Sequence, residues 1–349
     1  MIDYIIVGQG IAGTVLHRKM TLAGLTVHIL DAGHEQASSK VAAGLINPIT
    51  GRKYVKSWRI EDFLPVALST YKELSEYLGQ PIFSEVTIHR ALYSIKDENI
   101  WHGRMSDPLA AQFIEAEGDT QAYENKIDSV LSYGTLKGGL QVHLPKLISL
   151  YRERLHKSDL LTSARYDRSN LRIHDDHVSY GAISAKGIIF AEGYQARDND
   201  LWKGLTFTPV KGEVLLVKIA GNPFSDVLRH KLFITPLPND LYWIGSGYEW
   251  DFSHTKPTEE GKAKLVEQLD SILKVPYEVV DHIAGVRPAV KDRKPFLGRH
   301  PELKNVFIFN GMGTKGSSLA PYWAEHMLAY LLHSSPLDAE VDIKNKYSL

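Results

Sequence analysis

Cysteine is absent from the 349 residues. With it go disulfides, thiolate-ligated zinc, iron–sulfur clusters, a cysteine nucleophile and a cysteinyl link to a flavin. A chain of this length needs no such staples, because it can bury a sizeable core. Freedom from cysteine fits a reducing compartment. Long apolar runs are missing too. The longest stretch free of Asp, Glu, Lys and Arg runs from Tyr4 to His17, 14 residues, too few to span a bilayer. No basic segment leads into a cleavable apolar run, and Asp3 and the early glycines interrupt the place where one would lie. The expectation is a cytoplasmic protein without membrane insertion. Nor is charge of either sign in excess. Lys plus Arg number 40 and Asp plus Glu 41, so no global field draws in a polyanion. There is no G-x-S-x-G elbow, no H-E-x-x-H and no metal-ligand spacing among the 15 histidines.

What remains is ordinary globular composition, 44% hydrophobic and 23% charged, which excludes disorder, collagen and coiled coil. The length suggests about two domains.

The first 31 residues carry a motif. Tyr4-Ile5-Ile6-Val7 predicts a buried strand. Gly8-Gln9-Gly10-Ile11-Ala12-Gly13 follows at once, then a helix over 14–22 that Gly24 stops. Residues 25–30 predict a second strand, which Asp31 ends. Gly8 permits the tight turn, Gly10 lets backbone approach a pyrophosphate, and Gly13 lets helix and strand pack closely. The helix N-terminus offers unpaired N–H groups to phosphates. Asp31 suits the hydroxyls of a ribose without a 2′-phosphate, which means FAD or NAD. The pattern predicts dinucleotide binding.

Two further regions narrow the cofactor. Residues 37–48 place Ser38 and Ser39 before the small residues Ala42, Ala43 and Gly44, as where backbone passes close to something flat or anionic. Near the C-terminus, Gly285-Val286-Arg287-Pro288 and Asp292-Arg293-Lys294-Pro295-Phe296-Leu297-Gly298 precede a strand at 305–309. A second glycine turn follows, Gly311-Met312-Gly313-Thr314-Lys315-Gly316-Ser317-Ser318, and then a helix over 319–332 with Ser317 or Ser318 as its N-cap.

Together these segments resemble the D-amino-acid oxidase family of FAD-dependent oxidoreductases, which includes glycine and sarcosine oxidases. The match also takes in Gly187 to Gly193 and Phe207 to Glu213, and it spans the chain in order. It implies an α/β fold: a Rossmann-type FAD-binding domain (about 1–60, 135–205 and 281–349) interleaved with an α+β substrate domain (61–134 and 206–280) on an antiparallel sheet. Short strand-like runs at 213–218, 231–235 and 241–245 and helical periodicity at 259–273 accord with this. The implied cofactor is FAD, held by Gly8, Gly10, Ile11, Ala12, Gly13, Asp31, Ala32, Ser38, Ser39, Lys40, Ala43, Gly44, Leu45, Arg165, Ala191, Gly193 and the turn from Gly311 to Ser318.

The implied reaction oxidises the C–N bond of a small amino acid or N-substituted amino acid to an imine, by hydride transfer to flavin. Arg287 is the expected carboxylate clamp, since a guanidinium holds a carboxylate by two parallel bonds. Lys315 is expected at the flavin edge or a substrate anion. Phe233 stands where the D-amino-acid oxidases carry a tyrosine, and Met312 where several relatives place histidine. Both departures remove polar handles, for which His230, Lys231, Tyr248, Trp58 and Arg52 are candidate replacements. Residues 47–53 and 56–59 form a local basic cluster with one aromatic, the single stretch suited to nucleic acid. One family relative is the oxidase half of a tRNA-modifying enzyme that cleaves a carboxymethylamino group. Action on such a tRNA base is therefore an alternative, against which the near-zero net charge argues. A non-catalytic flavin-binding redox module is another.

Overall fold

The structure, a computed structural model, describes residues 1–33, 37–115 and 123–347. The β-branched run at the N-terminus forms the strand Ile2–Val7, buried over its second half, at the middle of an eight-stranded sheet. It pairs in parallel with Val27–Leu30 on one side and Ile183–Phe190 on the other. Val306–Asn310 extends the parallel set beyond Ile183–Phe190. The inner parts of these strands, at 5–7, 188–190 and 306–309, read as apolar runs because helices cover the sheet. The helix Ile11–Leu22 packs on it and against the C-terminal helix Gly316–His333.

A second sheet of nine strands is antiparallel except for one pair. Its order runs Tyr277–Arg287, Val210–Ile219, Leu241–Gly245, Phe233–Leu237, Val227–Arg229, Phe83–Leu92, Ser132–Val142, Leu45–Ile46. Three of these strands lie wholly or partly in stretches that the resemblance gives to the FAD domain: Leu45–Ile46, Ser132–Val142 and Tyr277–Arg287. The largest core cluster joins both sheets through the helices Ile11–Leu22, Ile60–Leu78 and Gly316–His333, with Trp323 and Tyr71 at its centre. No helix among the described residues is long and apolar enough to cross a membrane.

Local chemistry sets the element ends. The first helix begins at Ile11, three residues before the expected start, because the glycine turn itself enters helical geometry. The last helix begins at Gly316, so Ser317 and Ser318 lie inside its first turn and the N-cap is Lys315, which makes no side-chain cap bond. Further along, Pro321 lacks the N–H that would reach the Ser317 carbonyl four residues back. The Tyr71 hydroxyl takes that carbonyl instead, at 2.6 Å, deep in the core.

Tyr71→Phe should leave the Ser317 carbonyl buried without a donor. The expected cost is about 1–3 kcal/mol, read as a lower midpoint in urea unfolding. An unchanged midpoint would show that the carbonyl has another partner.

Candidate active site

One cavity of about 650 Å³ runs between the two sheets. Its first wall is the turn after Ile2–Val7. A Cβ at Gly13 would stand 1.9 Å from the Gly8 carbonyl oxygen, and one at Gly8 would stand 2.4 Å from that of Ala191, so only glycine lets helix and strands close up here. Gly13 therefore shapes the turn from behind, while Gly8, Gly10, Ile11 and Ala12 line the cavity. The helix has no acidic residue in its first turn to offset its positive end.

Asp31 and Ala32 line the same end. The Asp31 carboxylate accepts from Gln9 N at 2.9 Å, Gly33 N at 2.7 Å and Arg152 at 2.7 Å. That uses three of about four acceptor sites and leaves capacity on Oδ2. Arg152, which also donates to Gln9 Oε1, is the residue that sequence reasoning missed. It lies on the helix Leu144–Lys157, 121 positions from Asp31, and no local pattern announces it.

The short helix Ser38–Val41 forms the next wall. Ser39 Oγ accepts from Ile11 N at 2.9 Å, and Lys40 Nζ donates to the Gly33 carbonyl. Ala43, Gly44 and Leu45 continue along the cavity. Ala191 and Gly193 line it from the strand opposite, and exposed Arg165 sits at its rim. The second glycine turn closes this side. Gly313 N donates to the Pro288 carbonyl, and Asn310 Nδ2 to that of Gly193. Met312, Gly313, Thr314, Lys315, Gly316, Ser317 and Ser318 all line the cavity; Gly311 packs behind them against Val290 and Phe296.

The second sheet supplies the far wall. Arg287 lies half-buried across Gly212, where a Cβ would stand 2.2 Å from its Nη2. Its guanidinium donates to Ser246 Oγ and the Gly247 carbonyl, and stands 4.3 Å from the Tyr248 ring centroid. No carboxylate among the described residues lies within ion-pair distance of it, and burial pulls its pKa below the usual arginine range. Lys315 is in the same condition: burial first, then the charge of Arg293, lowers its pKa, and its ammonium has no acidic partner among the described residues. Phe233, Trp243, Tyr248 and Trp58 complete the wall.

Three candidates fall outside. His230 lies just past the strand Val227–Arg229 and does not line the cavity. There it is buried, with Nδ1 3.1 Å from Tyr93 Oη and 2.9 Å from Lys231 N. Lys231 donates to Ser271, and Arg52 is exposed away from the cavity. Two of the four cations in the basic cluster are paired, Lys56 with Glu61 and Arg59 with both Asp62 and Asp338, while Arg52 and Lys53 are exposed.

The residues present fit an extended dinucleotide. Two glycine turns deliver two helix N-termini to one long cavity, neither with an acid in its first turn, and a ribose-type carboxylate stands at one end. Glu192, also in the wall, is unusual. Burial lifts its carboxyl from 4.5 to about 7, against the opposing hydrogen bond from Asn199.

Asp31→Ala should weaken FAD binding by about 1–3 kcal/mol in a titration of the apoprotein; unaltered affinity would place the ribose elsewhere. Because the folded Glu192 value lies above the unfolded one, the unfolded chain releases this proton first as pH rises. Stability therefore falls between about 4.5 and 7. Glu192→Gln should remove that slope and stabilise by at most about 3 kcal/mol above it. Parallel urea profiles for the two proteins from acid to neutral pH would contradict this.

Residues 3–331 match the family described as FAD dependent oxidoreductase (DAO). Glycine oxidase from Pseudomonas aeruginosa is 23% identical, covering 91% of each chain. The tRNA 5-methylaminomethyl-2-thiouridine biosynthesis bifunctional protein MnmC of Caulobacter vibrioides is 24% identical over 96% of this chain and 56% of its own. The crystal structure of glycine oxidase from Bacillus cereus superposes with a TM-score of 0.79 at 19% identity, covering 96% of each chain. With the family matched over nearly the whole chain and the fold shared, this chain belongs to the FAD-dependent oxidoreductase (DAO) family and is an FAD-using enzyme.

Proposed function

We propose that the enzyme oxidises the C–N bond of a small amino acid or N-substituted amino acid whose carboxylate rests on Arg287. The observation that carries this reading is a half-buried, permanently charged fork in the cavity wall, bonded only to neutral oxygens. A buried cation without a partner is costly, and a substrate carboxylate removes that cost. Bidentate contact then fixes the carbon bearing the amine.

In this reading the turn Gly8–Gly13 holds the pyrophosphate, Asp31 the ribose, and the segments 38–45 and 312–318 the flavin ring system. FAD supplies, when bound, the two-electron acceptor for the C–H bond beside the amine nitrogen. Lys315 and the start of the helix Gly316–His333 place positive charge where negative charge is to be stabilised. Phe233 and Met312 are apolar neighbours of the substrate. They exclude water and take no proton, so the geometry of Arg287 bears most of the selection. Resemblance to the glycine oxidases supports a small amino acid.

The MnmC relative supports a second reading with related chemistry, a carboxymethylamino group on tRNA. Against it stand the balanced charge and the ion pairs of Lys56 and Arg59.

The test is anaerobic mixing of the holoenzyme with glycine, sarcosine, D-alanine and carboxylate-free amines, following bleaching of the flavin band. Arg287→Lys should keep FAD yet lose about 100-fold or more in kcat/KM for a carboxylate substrate, because a point charge does not reproduce the fork. A carboxylate-free amine should be nearly indifferent to the change. Equal reduction rates in the two proteins would remove Arg287 from the anchor role.

A further inference from the structure

The second sheet carries a row of residues in register across five strands. Gly245 stands opposite Phe233, Phe233 opposite Arg229, Arg229 opposite Arg90, and Arg90 opposite Gly134. Residues so paired share a face of the sheet. Phe233 belongs to the cavity wall, and Arg229 and Arg90 stand on the same face of the sheet, one and two strands beyond it and outside the cavity lining. The Arg229 Cζ lies 4.7 Å from the Phe233 ring centroid, and the Arg90 Cζ 5.3 Å from that of Tyr54.

Like charges on neighbouring strands repel. Nothing among the described residues offsets the pair. Arg229 donates to the carbonyls of His230 and Lys231, and Arg90 to that of Gly51. Neither has a carboxylate within ion-pair distance. The charge of Asp97 reaches Tyr54 and Tyr93, but its Oδ2 is engaged by Tyr93 N and Ser94 Oγ. Burial, and then the neighbouring Arg90, pulls the Arg229 pKa down to about 10, which leaves it charged at neutral pH.

Arg287 reaches the opposite side of Phe233. Its fork meets Ser246 and Gly247, the residues that follow Gly245 in the row. Tyr248 lies on the Arg287 side, its ring centroid 4.3 Å from the guanidinium carbon. Two uncompensated guanidiniums thus flank one aromatic wall.

We propose that Arg229, reinforced by Arg90, is a second carboxylate site, and that the preferred substrate is a small amine bearing two carboxylates, one for each side of Phe233. The inference rests on the reading of Arg287 as the first anchor.

The test separates binding from turnover. Oxydiacetate and methoxyacetate are ether acids with two carboxylates and one, and neither has an oxidisable C–N bond. Each is titrated into the holoenzyme while the flavin spectrum is followed. Oxydiacetate should bind at least about tenfold more tightly than methoxyacetate. Arg229→Gln should reduce that advantage to about threefold or less, Arg229→Lys should keep part of it, and Arg90→Gln should weaken it independently. FAD content and the unfolding midpoint check that the variants fold. In turnover, the kcat/KM ratio of iminodiacetate over sarcosine should fall in step, through KM. Equal affinity for the two ether acids in the wild type, or an undiminished advantage in both Arg229 variants, overturns the proposal. If Arg287→Lys leaves methoxyacetate affinity unchanged while the Arg229 variants still lose the oxydiacetate advantage, the second site stands and the assignment of the first anchor falls.

Discussion

Trp243 donates its indole N–H to the Val41 carbonyl at 2.7 Å, and the site is organised around that bond. Val41 ends a four-residue helix whose other end bonds to the first helix, through Ser39 Oγ and Ile11 N. Its side chain presses on Gly285, where even a Cβ would stand 2.9 Å away. One short segment therefore touches the nucleotide turn of the first sheet and the Arg287 strand of the second. Each hydrogen bond is worth only about 1 kcal/mol net. Their positional effect is larger, because a displacement of about 1 Å between an anchored substrate and its acceptor is costly to rate.

The electrostatics of the cavity are hidden by the overall balance of charge. Acidic residues elsewhere offset Arg287, Lys315, Arg229 and Arg90 in the sum, but not where these side chains lie. Lys211, by contrast, is almost fully buried and is held by both Glu213 and Glu249. Lys211 in the framework is paired, whereas Arg287 and Lys315, which line the cavity, have no carboxylate partner among the described residues. Net charge does not register such local imbalance.

The nucleotide end was legible in the sequence. Gly8 to Gly13 and Asp31 are close in the chain, and their roles follow from backbone sterics and strand polarity. The second turn was legible through its glycines, although the helix start was not: apolar periodicity begins at Leu319, whereas the backbone turns helical at Gly316. The substrate end was harder to read. His230 and Arg229 are adjacent, and only the assembled sheet shows that Arg229 pairs with Phe233 while His230 lies past the strand end. Arg152 meets Asp31 across 121 positions, and Arg90 meets Arg229 across 139. Such pairings come from how strands and helices assemble, so no local pattern reports them.

The position of Ile2–Val7 has a consequence for the birth of the molecule. This strand is synthesised before both of its neighbours, and Val27–Leu30 follows soon after. Its other neighbour contains Ala185, the partner of Ile2. At about 5–20 residues per second, synthesis takes roughly 10–40 s to supply it. Throughout that interval one edge of the strand has no partner from its own chain, an open template for any other extended chain nearby. The interleaved topology that brings two sheets to one cavity therefore makes the nascent protein depend on protection until its middle third has been made.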